Sequence, residues 1–259
     1  MNRKFLDGLP QGVEKILIAR VLDCCDIVSE RQQTKFTDFL DPFHRDFVRP
    51  LVGNYFGVRF SESGGYPDAE YQRLAIYPDY LRPDDIEFPI NLLEISLSDH
   101  TRHLSHRDYL GALLGLGIKR NMVGDILTFD GGAQVFAAEE ISATLLSIDQ
   151  INRLKATAVE VPPYTVKYNQ EPVRTVSTTV ASARLDSVLG AGLGTSRNRV
   201  VDLIKSEKVK VNWRQISQPS FQLNAGDVIS VRGKGRVELA ELGPETRKGR
   251  LKIIVKKYM

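Results

Sequence analysis

The chain has 259 residues, 42% of them hydrophobic and 26% charged, a composition that is typical of globular proteins and excludes wholesale disorder. At about 150 residues per domain, the length predicts two domains or three small ones. Two adjacent cysteines cannot build a disulfide framework, and no apolar run reaches the roughly 18 residues of a membrane span. The first residues also lack the apolar segment of a secretory signal, so we expect an intracellular protein.

Charge is distributed unevenly along the chain. Residues 181–259 contain 16 Lys and Arg against 7 Asp and Glu, a net charge of +9, whereas residues 1–180 have a net charge of −6. The overall charge of +3 therefore hides a strongly basic C-terminal region. Such a region is typical of a module that binds polyanions, but a merely solvated, lysine-rich surface would have the same composition.

The first block of the sequence, residues 1–85, begins with a helical pattern. Apolar residues recur near helical spacing from Val13 to Leu22. A second helix is predicted over residues 36–40, with Asp41-Pro42 at its end. The turn at residues 64–67 precedes a strand that is predicted over residues 73–77. We expect an N-terminal α/β domain that is rich in helix.

The second block, residues 86–161, alternates strand and helix patterns. A strand over residues 88–97 is followed by a helix that contains Tyr109 and Leu113 and ends near Gly115. A hairpin, a second helix and a last strand complete the order β-α-β-β-α-β. This order predicts a ferredoxin-like, RRM-like central domain. Residues 162–182 are predicted to form a linker or an extended edge strand.

The third block, residues 183–259, combines two short helices with several strands and most of the basic residues. Its second helix begins at Ser196, and a helix N-terminus followed by arginines suits a phosphate group. The residues predicted to bind RNA are Arg184, Ser196, Arg197, Asn198, Arg199, Lys205, Lys208, Lys210, Asn212, Trp213, Arg214, Arg232, Lys234 and Arg236. These groups suit recognition of the backbone and shape of structured RNA.

Six short motifs in this block, in order, resemble the S4 RNA-binding domain. They are Arg184-Leu185-Asp186, Ser196-Arg197, Leu203-Ile204, Val209-Lys210-Val211-Asn212, Pro219-Ser220 and Gly226-Asp227. The resemblance implies a compact helical and β domain that holds structured RNA.

Two positions depart from the S4 pattern, because Glu207 stands where many S4 domains end the second helix in Gly and Trp213 stands where they continue Asn-Gly. Trp213 either stacks on RNA or packs against the neighbouring domain.

The rest of the chain is similar to the YlmH-type S4 proteins. The residues that carry this similarity are Gly64 to Glu70 with Arg73-Leu74, His106 to Arg120, and Val123-Gly124-Asp125-Ile126. Within that family, the chain resembles the photosystem II S4 domain proteins of cyanobacteria and plastids. The resemblance implies binding to the large ribosomal subunit through rRNA and, in quality control of stalled nascent chains, tRNA. We expect a monomer in the cytoplasm, or in the plastid stroma of a plant.

The central helical segment offers a second candidate surface. His106, Arg107, Lys119 and Arg120 lie at its two ends and form either an RNA or partner surface or an ordinary solvated one. The small residues within it, Gly111 among them, would let the helix approach either a sheet or a nucleic-acid backbone closely, and tight packing on a sheet is the favoured interpretation.

Enzyme and metal hypotheses find less support in the sequence. The histidines at 100, 103 and 106 lack a Cys or acidic ligand at a zinc spacing. Cys24 and Cys25 fit buried core thiols, and the glycine-rich residues 190–194 lack a Walker lysine. We therefore expect no metal, no cofactor, no catalytic residue and no enzymatic activity.

Two alternative functions remain open from the sequence. Arg184-Leu185-Asp186 also occurs at the catalytic aspartate of pseudouridine synthases, but here Ser187 follows instead of Thr-Ser-Gly, and Asp186 is interpreted as a structural residue that bridges Arg184 or a nearby strand. The first alternative is an RNA-modifying enzyme of that kind. The second is a photosystem II assembly or adaptor protein.

Overall fold

The computed structural model describes Asp7, Leu9, residues 13–167 and residues 173–258. The first six residues, predicted to lack a secretory signal, and residues 168–172 of the predicted linker lie outside the described residues. The chain forms two compact units that meet in sequence between residues 169 and 170. The mixed helix and sheet content confirms the predicted α+β class. No helix of the described residues is both long and apolar enough to cross a membrane.

The first unit contains the N-terminal and central blocks. Its helices are α1 (Lys15–Arg31), α2 (Pro42–Gly53), α3 (His106–Gly115) and α4 (Ser142–Leu146). Its strands are β1 (Lys35–Phe36), β2 (Val58–Ser63), β3 (Arg73–Pro78), β4 (Ile90–Leu97), β5 (Val123–Phe129), β6 (Gly132–Ala138), β7 (Gln150–Ile151) and β8 (Leu154–Val161). The strands form two antiparallel sheets, of order β1-β3-β2 and β5-β6-β4-β8-β7.

The prediction of a helix over residues 36–40 is wrong. Phe36 pairs with Ala75 in the small sheet, and Asp41-Pro42 begins helix α2 instead of ending a helix. The Asp41 carboxylate accepts a hydrogen bond from the backbone N–H of His44, which satisfies one free donor of the first turn. Proline suits the same turn because its φ is already helical and its missing N–H has no partner to lose.

The central sheet has the predicted βαββαβ order. Its first strand, β4, lies between the third, β6, and the fourth, β8, which is the split βαβ plan. Leu93, Val135, Tyr109 and Leu113 are among the side chains that α3, α4 and one face of this sheet bury together. The second helix, α4, is only five residues long, and the chain after it forms β7 and turns at Asn152 into β8.

The second unit is the basic region together with the strand that precedes it. Its helices are α5 (Leu185–Leu193) and α6 (Arg197–Lys205), and its strands are β9 (Val173–Val180), β10 (Val209–Val211), β11 (Arg214–Gln215), β12 (Val228–Val231), β13 (Gly235–Glu245) and β14 (Leu251–Tyr258). They form one antiparallel sheet of order β11-β10-β12-β13-β14-β9, so the predicted linker region supplies an edge strand.

Both helices of this unit pack on one face of the sheet. The buried side chains include Leu189, Ile204 and Val211. At Gly192 the helix comes so close to the sheet that a Cβ atom would lie 2.7 Å from Val237 and 2.9 Å from Val255, which only glycine avoids. Among residues 173–258, no helix lies on the opposite face of the sheet.

Candidate nucleic-acid interface

The start of α6 presents the predicted arginines to solvent. Ser196 is the N-cap residue, although its side chain makes no capping hydrogen bond, and Arg197, Asn198 and Arg199 form an exposed first turn. The free N–H groups of this turn and the two arginines attract anions together.

A buried carboxylate fixes one of these arginines. Asp186 in α5 is 1% exposed, and Nε and Nη2 of Arg197 lie 2.9 and 2.6 Å from its Oδ2 atom. Arg184 donates to the same carboxylate from Nε at 3.2 Å and Nη2 at 3.0 Å. The predicted structural role of Asp186 is thus confirmed, and Arg197 is a partner that the sequence did not indicate.

The ionisation of Asp186 follows from these contacts. Burial opposes the charged form, but hydrogen bonds from Arg184 and Arg197, and their charges, outweigh it and hold the pKa of Asp186 below its usual value. The side chain of Arg197 is still 59% exposed. It is therefore an accessible cation whose direction is set by a buried anion.

The β10–β11 hairpin keeps a tight turn despite its unusual sequence. Asn212 and Trp213, its two loop residues, have φ values of 46° and 64°, as a type I′ turn requires. The Asn212 side chain donates to Oδ1 of Asp227 at 2.8 Å and accepts from the N–H of Val228 at 2.9 Å, which anchors the turn. Glu207 likewise adopts a positive φ of 57°, so both departures from the S4 pattern keep a left-handed backbone.

Basic side chains surround this hairpin. Lys210, Ser230 and Arg236 are paired across three strands and point away from the helices, because the neighbouring Val209 and Val211 face the core. At the other end of β10, two basic loops meet where the backbone N–H of Arg232 donates to the carbonyl of Lys208 at 2.8 Å.

The predicted RNA-binding residues therefore fall into two groups. The nine-residue helix α6, about 13 Å long, separates them. We call the first the helix-start group, which comprises Arg184, Ser196, Arg197, Asn198 and Arg199. We call the second the hairpin group, which comprises Lys205, Lys208, Lys210, Asn212, Trp213, Arg214, Arg232, Lys234 and Arg236. All members are exposed except Arg184, Trp213 and Arg236, which are half-buried.

Three of the four residues of the candidate surface on the central domain face solvent. His106, Arg107 and Lys119 are exposed. Arg120 is not part of that surface: its Nη1 atom donates to the carbonyl of Val123, and its guanidinium lies 4.1 Å from the centre of the Tyr71 ring.

The packing explanation of the glycines in α3 is wrong. Gly111 and Gly115 are exposed, and a Cβ atom at either position would meet nothing within 4 Å. They lie on the side of the helix that faces away from the sheet.

The central sheet turns out to be covered on the face that RRM domains use for RNA. The Tyr66 ring stacks on Phe136 of β6 with ring centres 4.7 Å apart. Its hydroxyl donates to Oδ2 of Asp125 at 2.7 Å, and Asp125 also accepts from the N–H groups of Glu70 and Tyr71 at 2.7 and 3.0 Å. Two segments that carry the YlmH resemblance thus meet at Asp125, and burial raises the pKa of this carboxyl.

Residues 165–167 cover a second part of the same face. The Gln134 side chain is fully buried, donates to the carbonyl of Thr165 at 3.0 Å and accepts from the N–H of Lys167 at 2.7 Å. The ammonium of Lys167 lies 2.7 Å from Oε1 of Glu94. The first unit therefore covers this sheet face with its own chain. Sequence reasoning missed both covering segments, the one at Tyr66 and the one at residues 165–167.

Two of the three histidines lie beside the β5–β6 turn. His103 lies 3.2 Å from a carboxylate oxygen of Asp130, and His100 packs beside Gly131. Within residues 13–167 and 173–258, no three His, Cys, Asp or Glu side chains are arranged to hold a metal ion.

Family models match three segments of the chain. The S4 domain matches residues 183–229, the putative RNA-binding domain in YlmH matches residues 83–168, and the YlmH N-terminal model matches residues 14–81. The fold and the basic hairpin thus belong to an S4-domain RNA-binding protein. More particularly, the chain is a member of the YlmH-type family.

Relatives and a solved structure agree with this assignment. The "Ribosome-associated protein quality control protein P2" of Bacillus subtilis (strain 168) is 29% identical over 248 residues, which is 93% of each chain. The "Small ribosomal subunit protein uS4" of Saccharophagus degradans is 42% identical over 57 residues, 22% of this chain and 28% of that protein.

The solved structure of "Cell division protein ylmH from Streptococcus pneumoniae" superimposes with a TM-score of 0.51 at 25% identity and covers 60% of this chain and 96% of that one. These relatives do not separate the branches of the family, so the photosystem II assignment stays a prediction.

Proposed function

We propose that this protein binds structured RNA of the large ribosomal subunit, with tRNA as a second ligand, and that it acts in the cytoplasm without catalysing a reaction. The observation that carries the proposal is the hairpin group, which gathers exposed lysines and arginines around the β10–β11 hairpin and the loops beside it. The name of the Bacillus subtilis relative, a ribosome-associated quality control protein, supports the choice of ribosomal RNA.

The chemistry of the two groups suits a folded RNA. Lysines of the hairpin group neutralise phosphates and release counterions, which gives affinity without reading sequence. In the helix-start group, Asp186 holds the planar guanidinium of Arg197 in one orientation, which reduces the entropy that is lost when it binds a phosphate. A rigid set of cations at fixed spacing selects an RNA by its shape.

Co-sedimentation with purified ribosomal subunits over a series of salt concentrations tests the proposal. The test variant reverses three exposed charges, K208E/K210E/R214E. A matched control, R247E/K248E/K252E, makes the same change in charge near the β13–β14 turn, about 30 Å away along β13. We expect the wild type and the control to pellet with the large subunit and the test variant to stay in the supernatant.

Equal loss in both triple variants would show that only net charge matters and would contradict a site at the hairpin. Pelleting with the small subunit instead of the large one would contradict the choice of subunit. These positions avoid Arg197, because a glutamate there would lie beside the buried Asp186 and is expected to disturb the helix start.

The absence of catalysis is tested separately. We expect rRNA and tRNA from cells that lack the protein to carry every modification found in the parent strain, as measured by nucleoside mass spectrometry. A modification that disappears, and that returns with the wild-type gene, would instead favour the RNA-modifying enzyme.

A further inference from the structure

Trp213 occupies a backbone conformation that most side chains avoid. It is the second loop residue of a type I′ turn, with a φ of 64°, where glycine has the lowest cost. A bulky L-residue in this region is an uncommon and strained arrangement. Strain of this kind persists where the surrounding structure enforces it and is concentrated at functional sites.

The backbone of the turn is anchored by groups other than the indole ring. The turn is anchored by the side chain of Asn212, through its bonds to Asp227 and Val228, and by the pairing of Val211 with Arg214. Glycine would satisfy all these contacts and remove the strain. The hydrogen bonds of the turn therefore do not account for the indole, and its role has to be sought in the surroundings of the ring.

The surroundings of the ring indicate what that role is. Trp213 is half-buried, and the guanidinium of Arg236 lies 5.7 Å from the centre of its ring. Lys210 and Arg214, on the strands to either side of the turn, are exposed. An aromatic face that is positioned by an arginine and flanked by exposed cations matches the way proteins bind unpaired bases, by stacking on the base while cations hold the adjacent phosphates.

We propose that Trp213 stacks on an unpaired base next to a helical segment of the bound RNA, while Lys210 and Arg214 contact the flanking phosphates. This inference rests on the proposed RNA-binding function and adds the class of RNA feature that the hairpin recognises. The ring gives a preference for an exposed base without reading its identity, because every base has a stacking face.

Trp213 is the single tryptophan of the chain, so its fluorescence reports on the ring directly. The probes are an RNA hairpin with an unpaired loop and a blunt duplex with the same stem sequence. We expect the hairpin to quench the fluorescence of the full-length wild type and to bind about tenfold more tightly than the duplex.

Three variants separate stacking from a structural role, and because two of them lack the tryptophan, their affinities are measured by the fluorescence anisotropy of labelled RNA. W213G should lose the preference for the hairpin and keep its affinity for the duplex, with an unchanged or higher melting temperature because the strain is relieved. W213F should keep most of the preference. The control E207G relieves the same kind of strain at another left-handed residue of the S4 unit and should keep the full preference.

The outcomes that would overturn the inference are distinct from failure of the proposed function. A W213G variant that still prefers the hairpin, or fluorescence that the hairpin leaves unquenched, would contradict stacking while RNA binding stands. A W213G variant that melts at a lower temperature and loses affinity for both probes would assign the ring to packing. A wild type that binds neither probe would overturn both proposals.

Discussion

The two larger sheets of this protein are alike on the face that packs against helices and differ on the other face. Each packs two helices on one face. The second face of the five-stranded sheet is covered by Tyr66 and residues 165–167, so that Phe136 and Gln134 are buried. The second face of the six-stranded sheet presents Lys210 and Arg236.

This difference shows that the fold of a domain does not place its binding surface. The βαββαβ topology leaves a sheet face available for RNA in RRM domains, yet here the chain covers that face with its own side chains. Polar residues at the covered face should therefore determine stability, and those at the S4 hairpin should determine RNA affinity. Substitutions at the covered face should lower the free energy of unfolding and leave RNA affinity unchanged, whereas substitutions at the hairpin should do the reverse.

The largest effect on stability is expected at Asp125. D125A leaves the hydroxyl of Tyr66 and two backbone N–H groups without their acceptor, which we expect to cost about 3 kcal/mol in the free energy of unfolding. Urea unfolding measures this loss, and affinity for the RNA hairpin under folding conditions should not change.

A matched control for this substitution lies in the same β-hairpin. Asp130 is 81% exposed at the β5–β6 turn, so D130A should change the unfolding free energy by less than about 0.5 kcal/mol. Comparable losses in the two variants would show that Asp125 does not hold the Tyr66 segment on the sheet face.

A smaller effect, and one that depends on pH, is expected at Asp186. D186N removes the charge that pairs with Arg184 and Arg197, and because both arginines reach solvent we expect a loss of about 1–2 kcal/mol, less than for a fully buried pair. The pKa of Asp186 is lower in the folded protein than the ordinary 3.8. Its contribution is therefore complete above pH 3.8 and disappears as the pH falls through the folded-state pKa.

The measurement is urea unfolding of wild type and D186N from pH 7 down to pH 2. The difference between the two unfolding free energies should be constant near neutral pH and should narrow below pH 3.8. A difference that stays the same across the whole range would mean that Asp186 acts through packing and not through its charge.

The sequence predicted the features that depend on local pattern. The βαββαβ order and the S4 helices follow from apolar spacing and glycine positions, and Asp186 lies only two residues from one of its partners, Arg184. The same reasoning placed the end of a helix at Asp41-Pro42, where helix α2 in fact begins. Aspartate followed by proline occurs at the start of helices as readily as after their end.

Contacts between distant segments were beyond this reasoning. Tyr66 and Asp125 are 59 residues apart, and the bond between them depends on how the two sheets of the first unit pack. Arg120 illustrates the same limit, since its charge suggested a surface role while its guanidinium stacks on Tyr71. No periodicity or motif in one sequence specifies such pairings.

The smallest effect on stability, and the most direct contrast with Asp125, is expected at Lys210. Its side chain is exposed on the open sheet face, so K210A should change the unfolding free energy by less than about 0.5 kcal/mol. It should nevertheless make the slope of log affinity against log salt concentration less negative by about one, because one phosphate contact and its released counterion are lost. Fluorescence titrations at several salt concentrations measure that slope. An unchanged slope would remove Lys210 from the interface and shift the phosphate contacts to the other basic residues of the hairpin group.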